Sequence, residues 1–189
     1  MYLSTFKPLF DFFSALFFLL IVMPIVLFIT IYLSIYYFGN PFFLQKRIGK
    51  NGNIFTIYKF KTIDSKNEIS SFSAFLRKYK FDELPQLFNV LKGEMSVVGP
   101  RPDLPGYYDL LKGKNRKILK LKPGLTGYAS IVFFNEEYLL NQVTDPVKYN
   151  DEIIFPKKIK LNLWYFNHIS FMLDLKIIFK TLILPFKKN

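Results

Sequence analysis

The sequence predicts an α/β (α+β) protein in which an N-terminal membrane-associated helix precedes a small domain with a β-hairpin and several helices. Three observations support this fold class. A segment without charged side chains, Phe12–Gln45, lies near the N-terminus. An Asn51-Gly52 pair separates two strand-like runs, and apolar residues recur with helical spacing over Leu84–Leu91. We therefore expect residues 1–40 to form a membrane-anchoring helix and residues 41–189 to form the domain.

The composition combines a high apolar content with a large positive charge. Of the 189 residues 51% are apolar, and 26 Lys and Arg residues face 14 Asp and Glu residues, which gives a net charge of +12. This combination fits a protein that enters a membrane and binds anions, whether lipid head groups, phosphorylated substrates or nucleic acid. The absence of cysteine excludes disulfides and thiolate metal sites. The single His168 excludes a histidine-based metal cluster, and we expect it to be partly buried or interfacial, near Trp164 and Tyr165.

The apolar segment Phe12–Phe38 is long enough to cross a bilayer. As a helix it would extend for about 40 Å, whereas the hydrocarbon core needs only ~20 residues. Pro24, near its middle, predicts a kink. Two topologies remain open: a spanning helix that tolerates the proline, or a helix that breaks at Pro24 and returns to the face it entered. Basic residues beyond the segment, from Lys46 to Lys50, favour that flank as the cytoplasmic one without settling the topology, and composition alone favours spanning.

The two strand-like runs, Phe42–Ile48 and Ile54–Thr62, are expected to form a hairpin. Asn51-Gly52 favours a turn whose two central residues have positive φ. Alternation places four side chains of the second strand on one face: Phe55, Ile57, Lys59 and Lys61. The two lysines could form a solvated edge or the floor of an anion site, and the solvated edge is the simpler interpretation.

The rest of the chain predicts mainly helices. A polar loop over Asp64–Ser73 precedes four helical patterns: Phe72–Lys80, Leu84–Leu91, Asp109–Leu121 and Lys157–Phe166. The last segment, Phe171–Phe186, mixes apolar and basic residues. It is short for a membrane span, so we expect an interfacial helix there.

Asp82 and Glu83 precede the Leu84–Leu91 pattern and are the first candidates for chemistry. The structural interpretation is that Asp82 caps this helix and Glu83 complements its dipole, with Pro85 in the first turn. The functional interpretation is that a carboxylate fixed at a helix start presents an oxygen to Mg²⁺ or to phosphorus. On these residues alone, the structural interpretation is favoured.

Two further segments suit anions. Arg101 lies between Pro100 and Pro102, and two stiff neighbours would present its guanidinium for bidentate phosphate contact. A plain surface turn explains the same tripeptide equally well. Pro123–Gly127 is expected to form a tight turn with exposed amides that could meet an anion.

Read together, these segments resemble the monotopic phosphoglycosyl transferases, a family of bacterial sugar transferases. The long stretch Phe81–Pro102, preceded by Leu76-Arg77, is similar to the core signature of that family. Other matching segments occur in the family's order: the apolar helix with Pro24, Tyr58–Thr62, Pro123–Gly127 and Ser170–Lys176. The resemblance covers nearly the whole chain.

The resemblance implies transfer of a sugar 1-phosphate from a UDP-sugar to polyprenyl (undecaprenyl) phosphate with release of UMP, which begins surface glycan or glycoprotein assembly. It implies that Asp82 attacks the β-phosphorus to form a covalent phosphosugar intermediate, and that Glu83 supports proton handling. It also implies that Asp82 and Glu83 bind Mg²⁺, and that the phosphates are contacted by three cations, Lys59, Arg77 and Arg101.

The resemblance further implies a re-entrant helix and a cytoplasmic catalytic domain at the inner (plasma) membrane, in contact with anionic lipids. Two departures from the family pattern concern its details. Met23 replaces the family's Ser before Pro24, which affects the angle of the helix break. After Gly127 the chain reads Tyr128–Phe134 where many relatives have a Gln-Val-Asn-Gly type sequence, followed by a longer insert to about Pro156. If this region recognises the sugar, the sugar donor differs from that of better-known members.

Two other functions are compatible with parts of the sequence. A membrane-tethered, non-enzymatic binder of anionic lipid or nucleic acid would explain the charge and the many aromatic residues. However, the chain contains no recognised nucleic-acid module, so we expect no nucleic-acid partner. A polytopic transferase would need several spanning helices, which one apolar segment cannot supply. The sequence does not specify the sugar, the pathway or the oligomeric state.

Overall fold

The computed structural model describes residues 2–64 and 66–184 and has mixed helix and sheet content. A π-helical turn at Tyr2–Phe6 leads into the long apolar helix α1, Lys7–Tyr36. The later α-helices are α2 Ser71–Lys78, α3 Gln86–Leu91, α4 Tyr128–Val132, α5 Glu136–Leu140, α6 Pro146–Tyr149, α7 Phe155–His168 and α8 Phe171–Ile183. The strands are β1 Phe42–Ile48, β2 Ile54–Phe60, β3 Ser96–Val98 and β4 Gly124–Thr126.

Helix α1 is the one helix of the described residues that is long and apolar enough to cross a membrane, judged by length and composition. It continues through Pro24 without interruption, so the helix break predicted there is not seen. Pro24 removes one backbone donor, but the helix on both sides of it packs against the rest of the protein. That shared support explains why a single helical path is kept.

One stripe of α1 is buried and the remaining surface is apolar and exposed. The buried residues recur every three or four positions: Lys7, Asp11, Ala15, Leu19, Val26, Ile29 and Leu33. This spacing places them on one helix face. Phe13, Phe17, Leu20 and Phe28, by contrast, are each about 60% exposed. A continuous apolar face of this size requires a membrane or another apolar partner.

The hairpin prediction is confirmed. β1 and β2 pair antiparallel, from Phe42 opposite Phe60 to Ile48 opposite Ile54. They are joined by a 3₁₀ turn in which Asn51 has a φ of 60° and Gly52 a φ of 85°. Strand β2 ends two residues earlier than Thr62, the predicted end.

The hairpin lies between clusters of buried side chains that also involve α1. Ile57 of β2 packs in a cluster with Ala15 and Leu19 of α1, which α3, β3, α7 and α8 complete. Phe60 packs instead with Leu33 of α1 and Leu76 of α2. A third cluster lies around Ile48, where β1 ends, and contains no residue of α1. The long apolar helix α1 therefore packs directly against β2 and α3, the elements that carry or adjoin the catalytic candidates.

A short parallel ladder joins β3 and β4, with Ser96 opposite Gly124 and Val98 opposite Thr126. The expectation of a tight turn with free amides at Pro123–Gly127 is therefore wrong. The Gly124 N–H donates to the Pro100 carbonyl at 2.8 Å, and the Gly99 N–H donates to the Thr126 carbonyl at 2.8 Å. These bonds hold the segment that precedes Arg101 directly against β4.

The helical predictions differ from the structure mainly at their boundaries. Segment Asp109–Leu121 forms two 3₁₀ turns, Tyr108–Leu110 and Gly113–Lys120, rather than one α-helix. Its only buried residues over the second turn are two adjacent ones, Ile118 and Leu119, so no apolar stripe stabilises a longer helix. The end of the predicted Phe171–Phe186 helix lies outside the described residues.

Candidate active site

Asp82 and Glu83 lie in a 3₁₀ turn, Phe81–Glu83, and not at the start of an α-helix. Helix α3 begins later, at Gln86, and has no side-chain cap. The prediction that Asp82 caps this helix is therefore wrong. Lys80, just before the turn, has a φ of 59°, a left-handed conformation that is uncommon for residues other than glycine and that concentrates at functional sites.

Glu83 is held between two cations. Its Oε1 accepts a hydrogen bond from Lys59 Nζ at 2.9 Å and from Arg101 Nη2 at 2.5 Å. The Glu83 side chain is 12% exposed, compared with 17% for Lys59 and 44% for Arg101. Burial alone would raise the pKa of Glu83, but Arg101 and Lys59 together lower it well below its ordinary value. Glu83 is therefore an anion that fixes the positions of both cations.

Asp82 has a different environment from its neighbour. Its Oδ1 is buried and has no hydrogen-bond partner among the described residues. Burial, followed by the nearby Glu83 carboxylate, raises the pKa of Asp82, and Lys59, Lys80 and Arg101 lower it in part. A poorly solvated carboxylate oxygen without a donor is available to a metal ion or to an electrophile.

A cavity of about 520 Å³ opens beside these carboxylates, within the usual size range of small-molecule sites. Its charged lining consists of five cationic residues and the carboxylate pair: Lys59, Lys61, Arg77, Lys80, Arg101, Asp82 and Glu83. Phe43, Phe60 and Ile63 contribute an apolar part. The charge excess suits a ligand with several negative charges, such as a diphosphate.

All five site residues predicted from the sequence therefore line one cavity. The solvated-edge interpretation of Lys59 and Lys61 is wrong, because both face the cavity and Lys59 pairs with Glu83. Sequence reasoning did not single out Lys80. Its position two residues before the Asp82-Glu83 pair was the signal that could have identified it. Strand alternation had grouped Lys61 with Lys59, so the alternative of an anion-site floor was the better interpretation.

The segment after Gly127 forms helices, and the residues that line the cavity do not include any of it. Glu136 of α5 accepts a hydrogen bond from Lys158 of α7 at 2.7 Å, which ties α5 to the domain. Further along α7, His168 stacks on Trp164 with ring centroids 4.5 Å apart. The His168 side chain is exposed, so of its two expected placements the partly buried one is wrong.

The two carboxylates are compatible with Mg²⁺ in one specific sense. No group of three or more His, Cys, Asp or Glu residues that could hold a metal occurs among residues 2–64 and 66–184. Mg²⁺ bound together with substrate phosphates usually takes only one or two protein carboxylates and keeps several waters. Asp82, with its unpartnered Oδ1, and Glu83 can supply such a half-site.

Comparisons with a family model and with individual proteins both find bacterial sugar transferases. A model of the bacterial sugar transferase family matches residues 2–188. The chain is 40% identical over 184 residues to "Uncharacterized sugar transferase EpsL" of Bacillus subtilis (strain 168), covering 91% of this chain and 83% of that protein. It is 35% identical to "UDP-glucose:undecaprenyl-phosphate glucose-1-phosphate transferase" of Klebsiella pneumoniae, covering 93% of this chain.

A third relative differs in its named sugar. The "UDP-N-acetylgalactosamine-undecaprenyl-phosphate N-acetylgalactosaminephosphotransferase" of Aeromonas hydrophila is 32% identical over 76% of this chain. The match spans 39% of the Klebsiella protein and 35% of the Aeromonas protein. This chain therefore corresponds to only part of the length of these two relatives.

Proposed function

The chain belongs to the bacterial sugar transferase family, and we propose that it transfers a sugar 1-phosphate from a UDP-sugar to undecaprenyl phosphate with release of UMP. The observation that carries the proposal is the cavity in which two carboxylates lie among five cations. A diphosphate donor and a phosphate acceptor both need positive charge, and group transfer between them needs a nucleophile. The named activities of the relatives agree with this assignment.

In this proposal Asp82 is the nucleophile. Its free Oδ1 attacks the β-phosphorus of the donor, the bond from that phosphorus to the bridging oxygen breaks, and UMP leaves with the electron pair. The undecaprenyl phosphate oxygen then attacks the same phosphorus, which restores the Asp82 carboxylate and yields the lipid diphosphosugar. Two displacements at one phosphorus avoid bringing donor and acceptor together at the same moment.

The cations stabilise charge during both displacements. Arg101 and Lys59 already face Glu83 at 2.5 and 2.9 Å, so the diphosphate enters a field that is oriented in advance. Arg77 on α2 lines the same cavity. Asp82 and Glu83 would hold Mg²⁺, which when bound neutralises phosphate charge.

We also propose that the protein is monotopic and lies at the cytoplasmic face of the bacterial inner membrane, in contact with anionic lipids. Support comes from α1, whose buried stripe runs from Lys7 to Leu33 against the domain while its other faces expose apolar side chains. The donor, a nucleotide sugar, is soluble and the acceptor is a lipid. A cavity beside a membrane-embedded helix is accessible to both.

The proposal is tested with purified protein in vesicles that contain undecaprenyl phosphate. UMP release is measured with a panel of UDP-sugars, with and without the lipid phosphate. We expect one or a few sugars to give lipid-dependent UMP release. Failure of every UDP-sugar to release UMP, with the protein folded and Mg²⁺ present, would refute the assigned donor class. A second measurement detects the intermediate: a radiolabelled sugar phosphate should remain on the protein when the lipid is omitted.

A further inference from the structure

Arg47 places a further guanidinium beside the candidate site, and the proposed function does not use it. It lies at the end of β1, next to Ile48, and is half-buried. Its Nε is buried and has no hydrogen-bond partner among the described residues. Burying a donor without an acceptor is unfavourable, so the position is not explained by stability alone.

The last two residues of β1 hold the turn that carries Arg101. The Ile48 N–H donates to the Asp103 carbonyl at 2.9 Å. Arg47 Nη1 donates to the Pro102 carbonyl at 3.4 Å, and its Nη2 donates to Gln45 Oε1 at 2.6 Å. The Gln45 contact fixes the Arg47 side chain along the strand, so the guanidinium presents its remaining donors to the turn.

The opposite end of the same turn is fixed by β4. The Gly99 N–H donates to the Thr126 carbonyl and the Pro100 carbonyl accepts from the Gly124 N–H, each at 2.8 Å. Arg101 is thus the central residue of a short segment that is fixed at both ends. Backbone hydrogen bonds to β4 hold its start, and Arg47 and Ile48 of β1 hold its end.

The charge of Arg47 also affects the direction in which the Arg101 side chain points. Burial, followed by the nearby Arg101 guanidinium, lowers the pKa of Arg47, while Asp103 and Glu83 act in the opposite sense. Two neighbouring guanidinium groups repel each other. Since Arg47 is held by Gln45 and Pro102, Arg101 is the one pushed away, toward the Glu83 carboxylate that it contacts at 2.5 Å.

We propose that Arg47 is a positioning residue: it fixes the Gly99–Asp103 turn and orients the Arg101 guanidinium toward Glu83 and the cavity. The inference rests on the proposed function. Arg47 is not among the residues that line the cavity, so it acts through Arg101 rather than on the donor. A lysine could not replace it, because a single ammonium on a flexible stem does not reach Gln45 and Pro102 in a fixed planar fork.

The test is a double-mutant cycle on UMP release with the variants Arg47→Gln, Arg101→Lys and the double variant. We expect Arg47→Gln to lower kcat about tenfold, with KM for the donor changed by less than about threefold, because orientation matters most in the transition state. In the Arg101→Lys background the same substitution should lower kcat by less than about twofold, since its target is gone. Equal losses in both backgrounds would overturn the proposal.

Two further variants separate positioning from folding and from charge. Arg47→Lys keeps the charge, and we expect it to lose activity like Arg47→Gln; wild-type kcat would overturn the role of the fork. This variant also serves if Arg47→Gln does not fold. Arg116→Gln, which removes an exposed arginine of the 3₁₀ segment Gly113–Lys120, should keep wild-type kinetics.

The outcomes also separate this inference from the proposed function. If wild-type protein releases no UMP, the function is refuted before the cycle begins. If wild-type protein is active and Arg47→Gln has the same kcat, only the positioning role of Arg47 is refuted.

Discussion

At the scale of single residues, the two adjacent carboxylates have opposite surroundings. Glu83 has two cationic partners, whereas Asp82 Oδ1 has no hydrogen-bond donor. Ionisation of Glu83 is therefore stabilised, and ionisation of Asp82 is opposed by burial and by Glu83 itself. Two carboxylates with separate environments can take separate roles, Glu83 in orienting cations and Asp82 in reacting.

We predict that Asp82→Asn lowers turnover at least about a thousandfold, to background, and leaves the fold intact. An amide is not a nucleophile for phosphorus, and Asp82 does not cap a helix whose loss would add instability. The measurements are UMP release and thermal unfolding. Asp109→Asn is the matched control, since the Asp109 side chain accepts a hydrogen bond from the Gly106 N–H, which an amide oxygen also accepts. Wild-type turnover in Asp82→Asn would refute the nucleophile assignment.

We predict that Glu83→Gln destabilises the protein by about 2 kcal/mol. Removing one member of a buried ion pair costs more than this, but Arg101 is 44% exposed and solvent compensates in part. A chain of this size should then lose about 4–8 °C in unfolding midpoint, and turnover should fall because Lys59 and Arg101 are no longer aligned.

The control for this loss is Glu152→Gln, which removes an exposed carboxylate. Its midpoint should remain within about 2 °C of wild type, as is usual for surface substitutions. A Glu83→Gln variant that unfolds like wild type would show that the two contacts contribute no net stability.

The residues of this site were predictable, but their local geometry was not. Asp82, Glu83 and Arg101 were identified by their order in one motif, together with Lys59 and Arg77. The capping interpretation of Asp82 failed because Lys80 adopts a left-handed φ and turns the chain before the helix. That conformation depends on tertiary contacts, which the sequence pattern does not contain.

At the scale of elements, the local turn signal of the hairpin was reliable, whereas the helical pattern of Asp109–Leu121 and the long-range strand pairing were not predicted correctly. The β1–β2 hairpin was predictable because Asn51-Gly52 specifies its turn within a few residues. The β3–β4 pair was not, since both strands are three residues long and separated by 25 residues of mostly irregular chain. Its signal was instead the glycines at positions 99, 124 and 127.

We predict that Gly124→Ala disrupts this pair and lowers both stability and turnover. A methyl group at position 124 would collide with the backbone of Gly99, directly after the neighbouring strand, and backbone cannot move aside as a flexible side chain can. Such overpacking costs about 1–3 kcal/mol and would shift the turn that carries Arg101.

Gly39→Ala is the control for this substitution, because a methyl group there meets only the Tyr37 carbonyl at an ordinary distance of 3.9 Å. Circular dichroism during heating measures the stability of both variants. An unfolding midpoint for Gly124→Ala equal to that of Gly39→Ala would contradict the close approach of the two strands.

At the scale of the whole molecule, α1 is joined to the domain at both of its ends. Near the N-terminus Lys7 Nζ donates to Asp174 Oδ2 of α8 at 2.6 Å, and Asp11 accepts from the Val97 N–H of β3 at 3.0 Å. Near the other end Leu33 packs in one cluster with Phe60 and Leu76. The domain therefore follows the helix along its length instead of lying beyond one end.

The contacts at both ends of α1 indicate how the helix lies relative to the membrane. The sequence suggested a break at Pro24, whereas the helix is continuous there. Thirty residues extend for about 45 Å, longer than the ~30 Å hydrocarbon core. A helix that crossed the bilayer would place its two ends on opposite sides. A single domain on one side of the bilayer could not then contact both ends, as it does through Asp174 at Lys7 and through Phe60 at Leu33.

We therefore predict that both ends of α1 face the cytoplasm, and the chain, which has no native cysteine, allows a direct test. Thr5→Cys and Lys50→Cys place single thiols at two exposed positions, before the helix and after it. Intact cells are treated with a membrane-impermeant thiol reagent, and both sites should be protected until the inner membrane is permeabilised, which also establishes that each thiol is reactive. The unsubstituted protein should stay unlabelled throughout. Labelling at position 5 but not at position 50 in intact cells would mean that the helix spans, and the contacts of Lys7 and Asp11 with the domain could not then exist in the membrane.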